Sequence, residues 1–457
     1  MSDRLPQALE RDRLAELVEA ERRRYAEARP RSRAALETAR GSLLAGVPMT
    51  WMSKWPGGFP PQLARAHGCR VTDVDGHEYV DLCLGDTGAM AGHSPEPTVR
   101  AVAARLGDAG GATAMLPTED AAAVGAELRR RFGVERWSFT LTATDANRWA
   151  IRLARQLTGR SRILVFNFNY HGSVDEAFAT LVDGRAVARE GNVGPPVDLA
   201  ETTRVVEFND ADALERELSH GDVAAVLAEP ALTNIGIVLP EPGYHVALRE
   251  LTRAAGSLLI IDETHTLSAG PGGCTRAWGL DPDVVTVGKA IGGGIPIGAF
   301  GLSAELEEPI LADSRADLED VGGVGGTLAG NALSLAAARA TLSEVLTEDA
   351  FSRMDALAAR FEHGVAEAIG AGGAPWCVVR LGARAEYRFC PEPPRDGGSS
   401  AAADDPDLDE YMHLFALNRG VLLTPFHNMA LMCPDTTEAD VDLHTQVFSA
   451  AVEALYG

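Results

Sequence analysis

Lysine is scarce in this chain: of its 41 basic residues, two are lysines, Lys54 and Lys289, and the rest are arginines. Lys289 lies in D-P-D-V-V-T-V-G-K-A-I-G-G-G-I-P-I-G-A-F-G, from Asp281 to Gly301. An arginine cannot give up its proton in a protein. A lysine amine can, once desolvation or a nearby cation lowers its pKa, and only the neutral amine attacks a carbonyl. A Schiff-base lysine therefore explains why arginine does not stand at 289; a surface lysine beside a flexible glycine loop is the plainer alternative. The second residue of chemical interest is Asp262, which follows the apolar run Leu258 to Ile261. A carboxylate buried there needs a partner, and a protonated pyridine nitrogen, an arginine or a helix N-terminus would each serve. Other apolar runs also end in polar residues: Phe166 leads to N-F-N-Y-H-G with Tyr170 and His171, Ala228 leads to Glu229, and Ile261 leads to D-E-T-H-T with Thr264 and His265. His265 reads equally as a hydrogen-bond donor to a site and as an ordinary satisfied histidine.

These residues need elements to position them. Val284 to Val287 is a β-branched run that predicts a short buried strand, and Gly292, Gly293 and Gly294 let backbone approach a bulky ligand. Similar runs occur at Ile163–Phe166, Val223–Ala228, Leu258–Ile261 and Ile297–Leu302, with helical stretches such as Asp212–Ser219 and Tyr244–Ala255 between them. Apolar strands alternating with helices imply an α/β fold with a mostly parallel sheet covered on both faces, whose ligands bind at the carboxyl ends of the strands. Trp137–Leu141 enters T-A-T-D-A-N, where Thr142, Ala143 and Thr144 open a helix and can hold a phosphate, or simply cap it. At 457 residues two lobes are expected. Residues 1–95 read as a helical arm broken at Pro30 followed by a small antiparallel sheet around the Asp75-Gly76 hairpin signal, counted with the smaller domain. Residues 96–335 read as the large α/β domain and 336–457 as a smaller α+β domain, with Pro391–Asp407 a low-complexity loop or insertion. The loop Gly46–Gly58 carries Trp51 and Trp55, which either wall a pocket or pin the loop. The glycine-rich loop around Thr327 matches neither a P-loop nor a dinucleotide fingerprint.

The formal net charge of -24 repels phosphate backbones and anionic lipid, so neither nucleic acid nor a membrane surface is an expected partner. The six cysteines lack metal-ligand or disulfide-framework spacing, and no metal is expected. With no membrane-length apolar run and no signal-peptide core, the expected location is the cytoplasm.

Taken together, V-G-K-A-I-G-G-G-I-P-I-G-A-F-G, the D-E-T-H-T segment, the Y-H-G motif and T-A-T-D-A-N make the chain, from about Gly46 onward, similar to class III aminotransferases of the fold type I pyridoxal-phosphate enzymes. The resemblance is to the group that includes glutamate-1-semialdehyde aminomutase and β-amino-acid and ω-amine aminotransferases. It implies that residues 96–335 bind pyridoxal 5'-phosphate, that Lys289 forms the internal aldimine, that Asp262 bonds the pyridine nitrogen and that Tyr170 stacks on the ring. Thr142, Ala143, Thr144, His171, Glu229, Thr264 and His265 would complete the cofactor's surroundings. Thr327 would reach the phosphate of a neighbouring subunit's cofactor, which implies a homodimer with shared active sites. The chain departs from the usual S-G-T-E-A-N cup at Ala143 and Asp145, and carries Thr264 where valine is usual. For substrate, Trp51, Met90 and Phe426 favour a hydrophobic amine, ω-amino or β-amino donor with an oxo-acid such as pyruvate as acceptor. Arg384 or Arg388 is a candidate to grip a carboxylate. The alternative is an intramolecular aminomutase of the glutamate-1-semialdehyde type.

Overall fold

The structure is a computed structural model and describes residues 9–114, 116–192, 194, 197–312 and 326–457. It divides into two compact units, one of Met1–Ser94, Ser352–Pro393 and Ala403–Gly457, the other of Pro95–Phe351 and Pro394–Ala402.

In the first unit the arm forms two helices, Arg11–Ala28 and Pro30–Ala39. Pro30 has no N–H to continue the first helix and starts the second, where a free N–H is not needed. Arg29 between them is buried and donates to the Tyr79 hydroxyl at 3.0 Å and the Leu417 carbonyl at 3.1 Å, which ties the arm to its unit. One sheet holds β1 (Leu63–His67), β2 (Arg70–Asp73) and β3 (Glu78–Asp81), all antiparallel, with the short β15 (Val421–Leu422) parallel to β3. The β2–β3 turn forms at the expected Asp75-Gly76, with Gly76 at φ 96 and Asp73 accepting from the His77 N–H at 2.9 Å. A second sheet joins β13 (Cys377–Leu381), β14 (Arg384–Arg388) and β16 (Met429–Leu431), all antiparallel.

The second unit carries the expected α/β sheet, in the order β4-β12-β11-β10-β9-β5-β8. Its strands are β4 (Arg136–Thr140), β5 (Arg162–Phe166), β8 (Thr203–Val206), β9 (Val223–Ala228), β10 (Leu258–Asp262), β11 (Val284–Val287) and β12 (Gly298–Leu302). From β8 through β11 the strands are parallel; β12 runs antiparallel to both β11 and β4. Alternate residues of one strand serve opposite faces. Leu164, Phe166, Val226, Ala228, Leu259 and Ile261 pack with the helices Ala211–Leu218 and Tyr244–Ala255. Ile163, Val165, Ala225, Leu227 and Ile260 pack with the helix Ala143–Thr158. Burial on both faces is why these strands read as unbroken apolar runs.

Three features differ from expectation. The strand β8 and the hairpin of β6 (Ala179–Val182) with β7 (Arg185–Ala188) were not anticipated; the hairpin turns at Asp183-Gly184, a signal of the same kind as Asp75-Gly76. The helix Ala332–Ala340 packs on Glu96–Ala104 and Glu119–Phe132, so the second unit runs on to Phe351 and not to residue 335. Within Pro391–Asp407, expected as loop, Gly397–Ala401 is a helix closed by an Asp396/Ser399 capping box, and it packs in the second unit with Gly398 N–H donating to Glu207 at 3.3 Å. No described helix is long and apolar enough to cross a membrane.

Candidate active site

The residues expected to do chemistry in the second unit converge at the carboxyl ends of its strands. Asp262 ends β10 opposite Thr286 of β11, and Lys289 follows three positions after Thr286. Lys289 is half-buried, and its backbone sits at φ 50, a left-handed conformation that costs a branched-off side chain roughly 1–2 kcal/mol and marks a constrained position. Its Nζ lies 2.7 Å from Nε2 of His265, which follows β10. The strand ends therefore hold the amine and the carboxylate on neighbouring parallel strands.

Asp262 is 3% exposed. Its Oδ2 accepts from Nδ2 of Asn147 at 2.8 Å and lies 2.9 Å from Nδ1 of His171, while Oδ1 accepts from the Thr264 N–H at 3.0 Å. Burial by itself pushes the carboxyl's pKa up, but the bonds from His171, Thr264 and Asn147 outweigh it and hold the group below the usual carboxylate range. The adjacent Glu263 is fully buried and burial pushes its pKa up, in spite of bonds from Thr266, Thr275 and the N–H of Cys274. Two neighbouring acids are thus set apart, one kept ionised in the site and one holding the turn to Gly273–Ala277.

Asn147 is the site residue that sequence reasoning left without a role. It stands in the second turn of Ala143–Thr158, is fully buried, and besides Asp262 its Nδ2 reaches the His171 carbonyl at 3.2 Å while its Oδ1 accepts from Thr286 at 2.6 Å. A polar side chain on the strand-facing side of a strongly amphipathic helix was the available signal.

The helix Ala143–Thr158 starts at Thr142, whose hydroxyl accepts from the Asp145 N–H at 3.1 Å, so the motif does cap its helix. Backbone packs closely around this N-terminus. A Cβ on Gly172 would fall 2.0 Å from the Thr144 hydroxyl oxygen, and one on Gly288 would fall 3.0 Å from Cβ of Ala143. The two glycines bring the Y-H-G loop and the lysine segment against the helix start. Tyr170 is 37% exposed beside the fully enclosed Asp262–His171–Asn147 group. Glu229 directly follows β9, is buried, and accepts from the Thr233 hydroxyl.

A pyridoxal phosphate fits this donor set. The helix N-terminus offers N–H groups to a phosphate, the ionised Asp262 offers a counter-charge to a protonated ring nitrogen, and Lys289 offers an amine. The Thr264 hydroxyl and Nε2 of His171 are buried with no hydrogen-bond partner among the described residues, which is the condition of groups awaiting a ligand.

Thr327 is exposed in the turn before the helix Ala332–Ala340, and the glycines before Gly326 in that loop fall outside the described residues. Trp51, Met90, Arg384 and Phe426 belong to the first unit. Trp51 meets the partly exposed Phe426 edge to face at 5.8 Å, and Lys54 Nζ lies 5.6 Å from the same ring. Met90 is fully buried. Arg384 is 1% exposed on β14, donates to the Thr87 hydroxyl and lies 3.8 Å from Asp86, while Arg388 is paired with Asp404.

The sequence profile of the family described as Aminotransferase class-III matches residues 52–449. A glutamate-1-semialdehyde 2,1-aminomutase from Anaeromyxobacter sp. (strain Fw109-5) is 33% identical over 401 residues, 86% of this chain and 91% of the relative. The crystal structure of a glutamate-1-semialdehyde-aminomutase from Pseudomonas aeruginosa PAO1 aligns with a TM-score of 0.94 and 49% identity, covering 98% of this chain and 100% of that one; a lysine-to-alanine form of that protein was crystallised with PMP. An omega-transaminase from Sphaerobacter thermophilus aligns with a TM-score of 0.85 and 31% identity, covering 93% of this chain and 98% of that one.

Proposed function

Because the chain belongs to the class III aminotransferases, pyridoxal-phosphate enzymes of α/β fold, we propose that it moves an amino group between carbons of a single small substrate, as an aminomutase does. The observation that carries this reading is the 49% identity with the Pseudomonas aeruginosa aminomutase over 98% of the chain, against 31% with the omega-transaminase. It replaces the intermolecular reaction as the first choice, although the transaminase likeness keeps that reaction as a second reading.

When bound, pyridoxal 5'-phosphate supplies an aldehyde for the amino group and a protonated ring that takes up the electron pair released at the substrate carbon. The chain's own residues do the rest. Lys289 would hold the cofactor through its Nζ and, as a positioned base, would carry a proton to and from the substrate carbon. Asp262, kept ionised by His171 and Asn147, holds the ring nitrogen's proton in place. Thr142, Ala143 and Thr144 anchor the phosphate at the helix N-terminus, Tyr170 covers the ring, and Thr264, His265 and Glu229 line its surroundings. Thr327, exposed in its own subunit, serves a partner's site in a homodimer, and the protein works in the cytoplasm. Trp51, Met90, Phe426 and Arg384 are assigned to substrate recognition.

The test is incubation of the holoenzyme with glutamate 1-semialdehyde in the absence of any oxo-acid, with sedimentation of the same sample. Formation of the isomeric aminoketone by a dimer is expected. A strict need for stoichiometric pyruvate or 2-oxoglutarate with an amine donor would instead establish the intermolecular reaction, and a fully active monomer would remove Thr327 from the scheme.

A further inference from the structure

Cys377 and Cys390 stand 13 positions apart, a spacing that signals nothing in the sequence, and the fold brings their sulfurs to 3.9 Å. Cys377 opens β13 opposite Arg388, the last residue of β14, and Cys390 lies two positions beyond Arg388. Alternation along the strand therefore puts both thiols on one side of the hairpin. In the dithiol form Cys390 also donates to the Glu392 carbonyl at 3.2 Å, so the two sulfurs and that oxygen make one short chain of contacts. The ladder ends at the pair of Cys377 with Arg388, and Phe389 and Cys390 form a bend beyond it. Rotation of two short side chains with a small adjustment of that bend closes the ~2 Å that remain to a disulfide. Both thiols are partly exposed and open to a reagent, whereas Cys69, Cys83, Cys274 and Cys433 are buried.

We propose that Cys377 and Cys390 form a reversible thiol–disulfide site that reacts with small disulfides of the oxidised-glutathione kind. The thiolate of one cysteine attacks a sulfur of the oxidant, and the other half of the oxidant leaves as a thiolate that takes up a proton. The second cysteine, deprotonated in turn, attacks the protein sulfur of this mixed disulfide and expels the second thiol. The protein loses two S–H bonds and gains one S–S bond; the oxidant receives the two electrons and two protons and departs as two thiols. In reducing surroundings such a pair follows the redox poise and is not a permanent staple. The bond closes the hairpin where the chain leaves β14 for Pro394–Ala402, a segment held in the second unit by bonds from the Gly398 N–H to Glu207, from Asn209 to the Arg395 carbonyl and from Ser400 to the Ile235 carbonyl. Oxidation thus ties the lead into that segment to β13.

The test equilibrates the holoenzyme with buffers of varied reduced-to-oxidised glutathione ratio, quenches in acid, alkylates the unfolded chain and maps the peptides by mass spectrometry. In excess oxidised glutathione, alkylation of Cys377 and Cys390 is expected to fall together by about tenfold or more, with a linked peptide short of two hydrogens. Excess reduced glutathione is expected to restore both, while the four buried cysteines, the internal reference, keep constant labelling. In Cys377→Ser and in Cys390→Ser the remaining cysteine has no partner to resolve it, and a glutathione adduct is expected to accumulate there. Circular dichroism checks the fold of both variants. Labelling of the pair that ignores the ratio, stable adducts on the parent with no linked peptide, a link that reduced glutathione does not reverse, or unmodified thiols in both variants would each overturn the proposal.

Discussion

Lys289→Ala is expected to lose turnover by about 10⁴-fold or more, since it removes both the covalent amine and the base that moves the proton. Arginine, which supplies every other basic residue except Lys54, stays protonated and cannot take its place. For the same reason Lys289→Arg is expected to be as inactive as the alanine variant, although it keeps the charge. Cofactor should still be retained, because the helix start at Thr142–Thr144 and the Asp262 group are untouched. Single-turnover kinetics of each variant after gel filtration, with the bound cofactor quantified, measures both halves. Retention of more than about a hundredth of the parental rate would take the lysine out of the mechanism.

The second large effect concerns stability. His444 in the helix Glu438–Tyr456 is buried between Phe361 and Phe448, with ring centroids 4.4 Å and 5.8 Å away, and its Nδ1 has no partner among the described residues. Burial pushes its pKa down from the ordinary 6.5 to about 3. The sign follows from proton uptake: the unfolded chain binds a proton at this side chain below about 6.5, while the folded chain stays neutral until about 3, so the histidine withdraws stability as pH falls through that window. His444→Leu removes the withdrawal and is expected to gain about 5 kcal/mol relative to the parent between neutral pH and pH about 3, with little difference above pH about 7. The comparison must be made against the parent. Asp409 in the same unit is raised to about 6 by burial and, as an acid, works in the opposite direction on the absolute curve. Paired urea titrations at a series of pH values give the difference directly, and a gap that stays constant as pH falls would contradict it.

The sequence was most legible where burial and chemistry collide. A charged residue directly after four apolar ones, as at Asp262, or a lysine in an arginine-rich chain, as at Lys289, is expensive unless used, and both residues stand at adjacent strand ends. Fully buried strands were readable because both faces are apolar. The strand β8 was not, since Arg204 breaks its run; that arginine turns out to be paired with Asp222 and Glu217. Asn147 was hidden because its partner Asp262 is 115 residues away, and an asparagine near a helix start resembles a cap. The helix Gly397–Ala401 was hidden by glycine and serine, which disfavour helix; the capping box and its contacts with Glu207 and Ile235 stabilise it, and none of these is local composition. The contact of His265 with Lys289 is likewise a product of two parallel strands ending side by side.

The most direct measurement is reduction of the cofactor-loaded protein with borohydride, followed by peptide mapping of the phosphopyridoxyl mass. Stoichiometric modification of Lys289, absent from Lys289→Ala, is the result this account predicts. Modification at Lys54 alone, or at neither lysine in a protein that carries its cofactor, would contradict it.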